Sequence, residues 1–490
     1  MTTVITSIGS KSAHTNPVNG QFSFSGTSGS GDPWTGTISH SGASVTANVG
    51  DMLYFHQVYF DCMGMGMGCS GGPTDVAYLI TAVNSGASTI TVKYISGLDY
   101  ASMGQDPANL SSNSSSLVQA QPYVVRFYST FNAWEADLDD TSYYNSGDVA
   151  NGQMYKDSDF EYSGTFYMDG GATLQLTATH LTVAEGERHD GTPNTGVRFL
   201  NNGSYQYICM VFQLHYGSNP VVKSLEWVEM DENGKGGGGC TQVLQHYAGG
   251  WGACSIGSFN HCMIHNYYMG NISAGDKAGV IYMASQYGQA HNNLLFNIKA
   301  GNPTGSNPFL GNLFGITTDR TCVVTNNTVY GLKHVDGTSG EAMGYKDSAY
   351  TTQEVYNNIC VGNETQDFHD WDGATHSHNL SSDSSATGTG AVTGESAASL
   401  FVSTTTGSED LHLIDGAAAL GAGQDLGTEV TAWSADFGGE GTSLTHFYID
   451  IDGRNRDSEG DDWDIGADQC ESCSEGGAAT GNPAFMLFFD

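Results

Sequence analysis

Short runs in which every second residue is apolar occur along the N-terminal quarter of the chain, and they predict β-strands. The run 89–94 shows this alternation, and turn residues separate it from the apolar run 78–83, which predicts a hairpin. Another strand is predicted at 49–55, after a Gly-Asp turn. We therefore expect residues 1–125 to form a separate β-sandwich or β-barrel domain that attaches the protein to a larger particle.

One segment has the apolar spacing of an amphipathic helix. Its apolar residues at i, i+3 and i+7 are Phe131, Trp134 and Leu138. Asn132 and Glu135 have the spacing of a capping box. We expect residues 126–170 to be a linker in which this helix covers the end of the following body and hides edge strands from neighbouring chains.

A loose repeat in the middle of the chain is the strongest organising signal. In each copy, an Asn-rich corner precedes a short apolar strand. The copies are 264–271, 292–298, 325–332 and 356–363. Asn293 and Asn327 are separated by 34 positions, and Asn327 and Asn358 by 31, which lies in the range of stacked solenoid coils. The repeat predicts a parallel β-helix body over 171–400, with corner asparagines that adopt left-handed backbone angles and bond their equivalents in adjacent coils.

Composition supports an all-β fold and excludes some partners. The chain of 490 residues contains 66 glycines but only 15 lysines and arginines, so long helices are disfavoured. Its net charge of −37 would repel nucleic acid phosphates and anionic membranes. No run approaches the ~20 apolar residues that span a bilayer, and the first residues lack a signal peptide. We expect neither nucleic acid nor membrane as a partner, and release by cell lysis.

Residues 401–470 carry four short segments in a characteristic order. They are 410–413, 419–423, 450–456 and 463–468. This order resembles the closing segment of surface proteins with a right-handed parallel β-helix, written FHL…SPAIGAG…DxDGxxR…DIGAxE. The chain departs from it at Gly416-Ala417-Ala418, where Ser-Pro is expected, and at Gln469, where Glu is expected. The resemblance implies that residues 401–470 close a right-handed parallel β-helix.

Three further segments are similar to stretches in structural proteins of tailed bacteriophages. They are 128–138, 151–160 and 481–489. The resemblance implies a structural protein on the virion surface, either a tail fibre or spike that contacts host glycans or a capsid decoration protein. Its partners would be other virion proteins and copies of itself, with trimers expected by analogy with similar spikes.

Two enzymatic or binding alternatives use the same fold. Polysaccharide lyases and glycoside hydrolases need paired carboxylates, and Asp367, His369, Asp370 and Asp372 are close together in sequence. Because acidic and imidazole groups often fall together in a chain this acidic, we favour a structural role for them and a non-enzymatic protein. A secreted carbohydrate-binding surface protein is the second alternative.

Carbohydrate binding would use exposed aromatic rings, of which strand alternation places about half in the core. The candidates are Trp251, Tyr247, Tyr267, Tyr268, Tyr282 and Tyr287. After the Gly-rich start of the tail 471–490, an apolar cluster is expected to dock on the chain's own body or on a partner. It consists of Phe485, Met486, Leu487, Phe488 and Phe489.

No cofactor is expected, although two segments carry possible metal ligands. Asp450, Asp452 and Asn455 offer oxygen ligands for Ca²⁺, but their spacing is not that of an EF-hand, so we favour a turn held by Asp side chains and Arg454 or Arg456. The Met-rich segment between Cys62 and Cys69 favours packing or a disulfide over Cu(I), since it contains no His. Cys470 and Cys473 lack the second pair that a zinc site would need.

Overall fold

The computed structural model describes 23 parts of the chain. They are 2–10, 21–25, 35–41, 47–58, 74–93, 121–141, 143–162, 166–168, 176–201, 210–215, 222–231, 242–247, 257–269, 277–284, 288–300, 312–318, 321–334, 342–347, 353–371, 373–436, 447–456, 463–470 and 473. With 47% strand and 8% helix, the protein belongs to the all-β class, as predicted.

Three long sheets of parallel strands form the main body; strands are numbered in chain order. Sheet 1 runs β1 (Thr3–Ile8), β8 (Val149–Met154), β11 (Ala178–Val183), β14 (Val222–Glu226), β17 (Gly257–Asn260), β21 (Gly288–His291), β25 (Cys322–Thr325), β29 (Gln353–Tyr356) and β32 (Thr375–Ser377). Sheet 2 runs β9 (Phe160–Tyr162), β12 (Arg198–Asn201), β15 (Glu229–Asp231), β18 (Met263–His265), β22 (Leu294–Phe296), β26 (Thr328–Tyr330), β30 (Ile359–Val361), β33 (Leu380–Ser381) and β34 (Val392–Thr393).

Sheet 3 and a small fourth sheet complete the parallel arrangement. Sheet 3 runs β10 (Phe166–Met168), β13 (Met210–His215), β16 (Gln242–Tyr247), β20 (Lys277–Met283), β24 (Asn312–Thr318), β28 (Ala342–Asp347) and β31 (Gln366–His369). The small sheet runs β19 (Tyr268–Met269), β23 (Lys299–Ala300) and β27 (Lys333–His334). Along the chain, a strand of sheet 1 is followed by one of sheet 2 and then one of sheet 3, and this order repeats. All the predicted repeat segments contribute parallel strands to sheet 2.

Buried asparagines connect successive repeats at the corner between sheets 1 and 2. The side-chain oxygen of Asn327 accepts hydrogen bonds from the backbone and side-chain nitrogens of Asn293, at 3.0 and 2.9 Å. Asn327 donates in the same way to Asn358, and Asn358 to Asn379. The residues just before them, among them Asn292, Asn326 and Asn357, have φ of 55°, 54° and 55°. The predicted left-handed corners and the bonding between equivalent asparagines are therefore confirmed.

The N-terminal part contains a six-stranded antiparallel sheet, called the N-terminal sheet. Its strands, in spatial order, are β2 (Gln21–Ser25), β3 (Thr35–Ser41), β6 (Thr89–Lys93), β5 (Thr74–Asn84), β4 (Met52–Val58) and β7 (Gln121–Val125). The hairpin predicted from 78–83 and 89–94 is confirmed, with Asn84 opposite Thr89. Within the described residues, this sheet has two edges, β2 and β7, and is not a closed barrel.

The first strand of the chain lies in the parallel body rather than in the N-terminal sheet. β1 pairs with β8 in parallel, with Thr3 opposite Val149. The buried guanidinium of Arg126 also connects the two parts, because it bonds Asp51 at 2.8 Å and Asp157 at 2.7 Å. The predicted N-terminal domain, residues 1–125, therefore contains one strand, β1, that belongs to the parallel body instead.

The predicted helix exists as α1 (Phe131–Ala136), but its N-cap differs from the prediction. The cap is Thr130, whose hydroxyl accepts a hydrogen bond from the backbone N–H of Ala133 at 3.2 Å, and not Asn132. Phe131 and Trp134 are buried as predicted. The indole of Trp134 lies against Gly152 of β8, where a Cβ would come within 2.6 Å of it, so the helix covers the start of sheet 1 closely.

The described parts of residues 401–470 pack along the outer faces of sheets 1 and 2. They include the hairpin β35 (Phe401–Thr405) and β36 (Ser408–Leu413), preceded by α2 (Ala397–Leu400), and α3 (Gly427–Asp436); a short 3-10 helix occupies Glu185–Glu187 in the body. Leu295 and Cys360 point into the body's core, whereas their neighbours Leu294 and Ile359 point outward. These outward side chains join Leu413 and other closing residues in a second apolar cluster. Sheet 2 is thus apolar on both faces because both are covered.

Candidate functional site

A turn held by Asp450 lies within the closing segment, residues 401–470. One carboxylate oxygen of Asp450 accepts hydrogen bonds from the backbone N–H groups of Asp452 and Arg454, at 3.0 and 2.7 Å. The other oxygen accepts one from the N–H of Gln469 at 3.1 Å. Burial raises the pKa of Asp450 to about 7, although the charge of Arg456 opposes this shift. These hydrogen bonds form the Asp-held turn that the sequence favours over a Ca²⁺ site. Asn455 is exposed beside this turn.

Arg456 fastens the end of the closing segment to sheet 1. Its fully buried guanidinium donates to the carbonyls of Gly466 and Ala467 at 2.9 and 2.8 Å, and to the side-chain oxygen of Asn292 at 3.2 Å. Since Asn292 is a left-handed corner residue, one side chain connects the turn 464–468 to a corner of the body. This arrangement positions the carboxylates of Asp452 and Asp468 near each other.

A cavity of about 610 Å³ opens between the closing segment and the loop after Glu185–Glu187. Its lining mixes polar and apolar surface and consists of Asp190, Thr192, His412, Leu413, Asp452, Arg454, Asp468, Cys470 and Cys473. Cys470 and Cys473 form a disulfide. The cavity therefore collects residues from four separate parts of the chain, around the imidazole of His412.

His412 lies between two carboxylates. Its Nδ1 is 2.5 Å from Asp410 Oδ1, and its Nε2 is 3.0 Å from Asp452 Oδ1. Burial lowers the pKa of the imidazole, but hydrogen bonds to Asp452 and Asp410 and the charge of Asp468 outweigh burial and raise it to about 10. In this state the ring is an imidazolium that donates to both neighbours.

Asp468 is the most deeply buried carboxylate of the cavity. Only 3% of the residue is exposed, and burial raises its pKa. Its Oδ2 accepts a hydrogen bond from the backbone N–H of Leu413 at 2.7 Å. Its Oδ1 is buried and has no hydrogen-bond partner among the described residues. Burying a carboxylate oxygen without a hydrogen-bond donor destabilises the folded protein, so a ligand that bonds this atom would be favoured.

Ligand-forming atoms of His412, Asp452 and Asp468 lie within 4.8 Å of one another. The backbone of Gly191 makes room for the ring, because a Cβ there would be 2.8 Å from His412 Nε2, and φ is +82°. Arg454 balances part of the negative charge through an ion pair with Asp452 Oδ2 at 3.0 Å. One nitrogen and two carboxylates in this arrangement can hold a cation or a cationic ligand group.

The sequence pattern indicates Asp452 as a possible ligand but not His412 or Asp468. Both of these belong to the closing pattern, in segments 410–413 and 463–468, where the resemblance implies only the fold. Their separation of more than fifty positions along the chain hides their proximity. The alternation in β36 was the available signal, since the buried Leu411 and Leu413 require His412 to point away from the core.

The proposed catalytic carboxylates form no paired site within the described residues. Asp367 is buried, and its Oδ2 accepts hydrogen bonds from the backbone and hydroxyl of Ser382, both at 2.6 Å, while its Oδ1 accepts one from Asn363 Nδ2 at 2.8 Å. Asp370 is exposed and lies 3.0 Å from His369 Nδ1. Asp372 lies outside the described residues. Asp367 thus connects the loop at Ser382 to Asn363, which is the arrangement of a structural residue.

The aromatic candidates do not gather on a described surface. Tyr267 is only 1% exposed and belongs to the core, so it offers no face to a sugar. Tyr282 is half-buried in β20. Tyr247 and Tyr268 lie in β16 and β19, but their side chains fall outside the described atoms. Trp251, Tyr287, the docking residues 485–489, Cys62 and Cys69 lie outside the described residues as well.

Three further cysteines, Cys262, Cys322 and Cys360, are free and buried, in line with the expected role as small core residues. Across the described ranges, no helix combines the length and apolar character needed to cross a bilayer. In comparisons with known proteins, no family model, no curated protein and no solved structure matches this chain.

Proposed function

We propose that this chain is a non-enzymatic structural protein of a bacteriophage virion surface, whose body is a right-handed parallel β-helix. The observation that carries the proposal is the buried asparagine ladder, in which Asn293, Asn327, Asn358 and Asn379 are bonded in series. A ladder of this kind supports an arrangement of coils stacked about one axis. The right hand follows from the strong preference of parallel crossover connections for that hand.

A stacked body of this type suits a stiff surface protein. Each coil touches only its neighbours, so stiffness and length come from repetition. The ladder removes the conformational freedom of the corners, and the closing segment covers the outer face of sheet 2 with apolar side chains. A net charge of −37 favours solubility of a densely displayed surface. These features support a fibre, spike or decoration protein that makes contact with other virion proteins, with copies of itself and with host glycans.

The arrangement of Asp367 favours a non-enzymatic role over polysaccharide cleavage. A general acid or base must reach a substrate atom, whereas both oxygens of this carboxylate accept short hydrogen bonds inside the protein. Its candidate partner Asp370 is paired with His369 at the surface. The cavity around His412 is lined by three further carboxylates, Asp190, Asp452 and Asp468, but His412 and Arg454 already bond Asp452.

Mass spectrometry of particles purified from the lysate of a phage whose genome encodes this chain tests the proposal. We expect its peptides in the particles at a fixed ratio to the major capsid protein, and immunogold labelling at the particle surface. Absence of the chain from the particles, together with its presence in the soluble lysate, would overturn the virion assignment.

Enzymatic assays test the alternative directly. Purified chain is incubated with algal and bacterial polysaccharides, and reducing ends and unsaturated uronates are measured. We expect no turnover. Turnover that is lost in Asp367→Asn but retained in the surface variant Glu395→Gln would favour a polysaccharide-degrading enzyme instead.

A further inference from the structure

The cavity beside the closing turn has the composition of a cation site rather than of a simple ion-pair network. Simple networks of surface charges leave their members exposed, whereas Asp468 is 3% exposed and Asp452 has a side-chain exposure of 13%. Such burial of two carboxylates is unfavourable unless positive charge compensates it. Arg454 bonds one oxygen of Asp452, at 3.0 Å, and His412 bonds the other. The charges of His412 and Arg456 act on Asp468 from nearby, yet its Oδ1 accepts no hydrogen bond among the described residues.

The second observation is the unsatisfied oxygen of Asp468. Its Oδ2 is fixed by the N–H of Leu413 at 2.7 Å, which sets the orientation of the carboxylate. Its Oδ1 is buried without a hydrogen-bond partner among the described residues, and the residue lines the cavity. A fixed and unpaired carboxylate oxygen is the state expected of a ligand whose cation is absent.

The third observation is the orientation of His412. Asp410 Oδ1, 2.5 Å from Nδ1, holds the Nδ1 proton and leaves Nε2 facing Asp452. A carboxylate that orients an imidazole by its far nitrogen is the usual support of a metal-binding histidine, and it raises the basicity of the ligand nitrogen. Gly191 keeps the approach to Nε2 open because it has no side chain.

We propose that His412 Nε2, Asp452 and Asp468 bind one divalent transition-metal cation of the Zn²⁺ class, with Asp410 as the positioning residue. The cation takes the place between His412 and Asp452 that the present hydrogen bond occupies, and the Nε2 proton passes to solvent. The atoms concerned already lie within 4.8 Å of one another, so small side-chain rotations suffice. The cavity of about 610 Å³ has room for a water molecule as the fourth ligand.

The ligand set determines which cation is favoured. One imidazole and two carboxylates suit Zn²⁺, Co²⁺ or Mn²⁺, whereas Ca²⁺ prefers six to eight oxygen ligands. The disulfide Cys470–Cys473 lies in the cavity wall, where it offers no thiolate as long as it stays oxidised. Cation binding at this site does not depend on whether the chain is a virion protein.

Isothermal titration of the full oxidised chain with ZnCl₂ in a non-coordinating buffer tests the site. We expect one Zn²⁺ per chain bound more tightly than any diffuse binding to the acidic surface. Asp468→Asn and His412→Gln should each weaken this step by about 10-fold or more, since each removes one ligand atom or its charge. The matched control Asp370→Asn removes an exposed carboxylate outside the cavity and should leave the affinity unchanged.

Three results would overturn the proposal. The first is equal weakening in Asp370→Asn and Asp468→Asn, which indicates diffuse attraction to net negative charge. The second is tight Ca²⁺ binding that His412→Gln does not affect, which indicates an oxygen-only site. The third is Zn²⁺ binding that requires reduction of the disulfide, which indicates the cysteine pair.

A measurement on the unmodified chain covers the case in which the variants do not fold. Co²⁺ added to the oxidised protein should give visible ligand-field absorption that stoichiometric Zn²⁺ removes, without sulfur-to-cobalt charge transfer. Sulfur charge-transfer bands, or no change in the spectrum of aqueous Co²⁺, would contradict the assignment.

Discussion

Adjacent asparagines have different tasks at three corners of the body, Asn292–Asn293, Asn326–Asn327 and Asn357–Asn358. Asn326 adopts a left-handed angle of φ 54° and turns the chain, while Asn327 bonds the corners on both sides. Asn tolerates the left-handed region better than other residues with a Cβ, and its amide both donates and accepts. Asparagine therefore serves both as the residue that turns the chain and as the residue that bonds adjacent corners, and its position in the pair decides which.

Replacing the ladder residue should cost far more than replacing its neighbour. Asn327→Ala removes two hydrogen bonds accepted from Asn293 and two donated to Ala290 and Asn358, and leaves buried groups unpaired. We expect a loss of about 3–5 kcal/mol in the free energy of unfolding, measured by urea denaturation. The control is Asn326→Gly, which keeps the backbone angle and removes an amide with no hydrogen-bond partner in the described structure; it should change stability by less than about 1 kcal/mol. Similar losses in both variants would contradict the ladder's role.

Protonation of His189 should destabilise the protein on the acid side. Burial lowers the pKa of this ring, although Glu229 and the carbonyl of His261 oppose the shift. Its Nε2 donates to His261 O at 2.7 Å, and its Nδ1 accepts from Gly191 N at 3.4 Å, so a second ring proton would face an N–H group. The neutral ring thus stabilises the folded state above about pH 6.5, and this contribution is lost as the pH falls through the lowered pKa.

The measurement compares unfolding free energies of the wild type and His189→Gln between pH 7 and pH 5. We expect the wild type to lose more stability than the variant, by up to about 1.4 kcal/mol for each unit by which the pKa is lowered. Carboxylates titrate in both proteins, so the difference isolates the histidine. The same pH dependence of the unfolding free energy in both proteins would show that protonation of His189 does not destabilise the folded state.

At the scale of elements, a sheet with two apolar faces needs a cover on each. The outward residues of β22 and β30, such as Leu294 and Ile359, contact the closing segment, and each buried aliphatic side chain contributes roughly 1.5–3 kcal/mol. Gly466, at φ 106°, lies where a Cβ would be 2.6 Å from the Ile359 side chain. The glycine of this closing pattern is therefore a packing requirement against sheet 2.

Arg456 should control whether the closing segment stays attached. Arg456→Lys retains one positive charge but cannot reach Asn292 and the carbonyls of Gly466 and Ala467 together. We expect faster amide hydrogen exchange in residues 463–470 and a stability loss of about 3 kcal/mol or more. Arg454→Lys, at a partly exposed ion pair, serves as the control and should change stability by less than about 1 kcal/mol. Unchanged exchange in Arg456→Lys would contradict the fastening role.

For the molecule as a whole, the dominant feature is net charge. At −37, unscreened carboxylates repel one another in the compact state more than in the unfolded chain. Thermal unfolding should therefore shift to higher temperature as NaCl rises from about 10 mM to 150 mM, where the screening length falls from about 30 Å to 8 Å. Sucrose at equal osmolality, which does not screen charge, is the control for general solute effects. An unchanged or falling melting temperature in NaCl would show that attractive ion pairs dominate instead.

The sequence by itself determined the all-β class, the parallel repeat and the corner asparagines, because these depend on local alternation and on a spacing that recurs. It also indicated the turn at Asp450, whose hydrogen bonds lie mostly within a few residues. Tertiary structure alone decided that β1 joins sheet 1, that the closing segment covers sheet 2, and that His412 meets Asp452 and Asp468. Those contacts join residues far apart along the chain, and no local pattern encodes a distance that only folding creates.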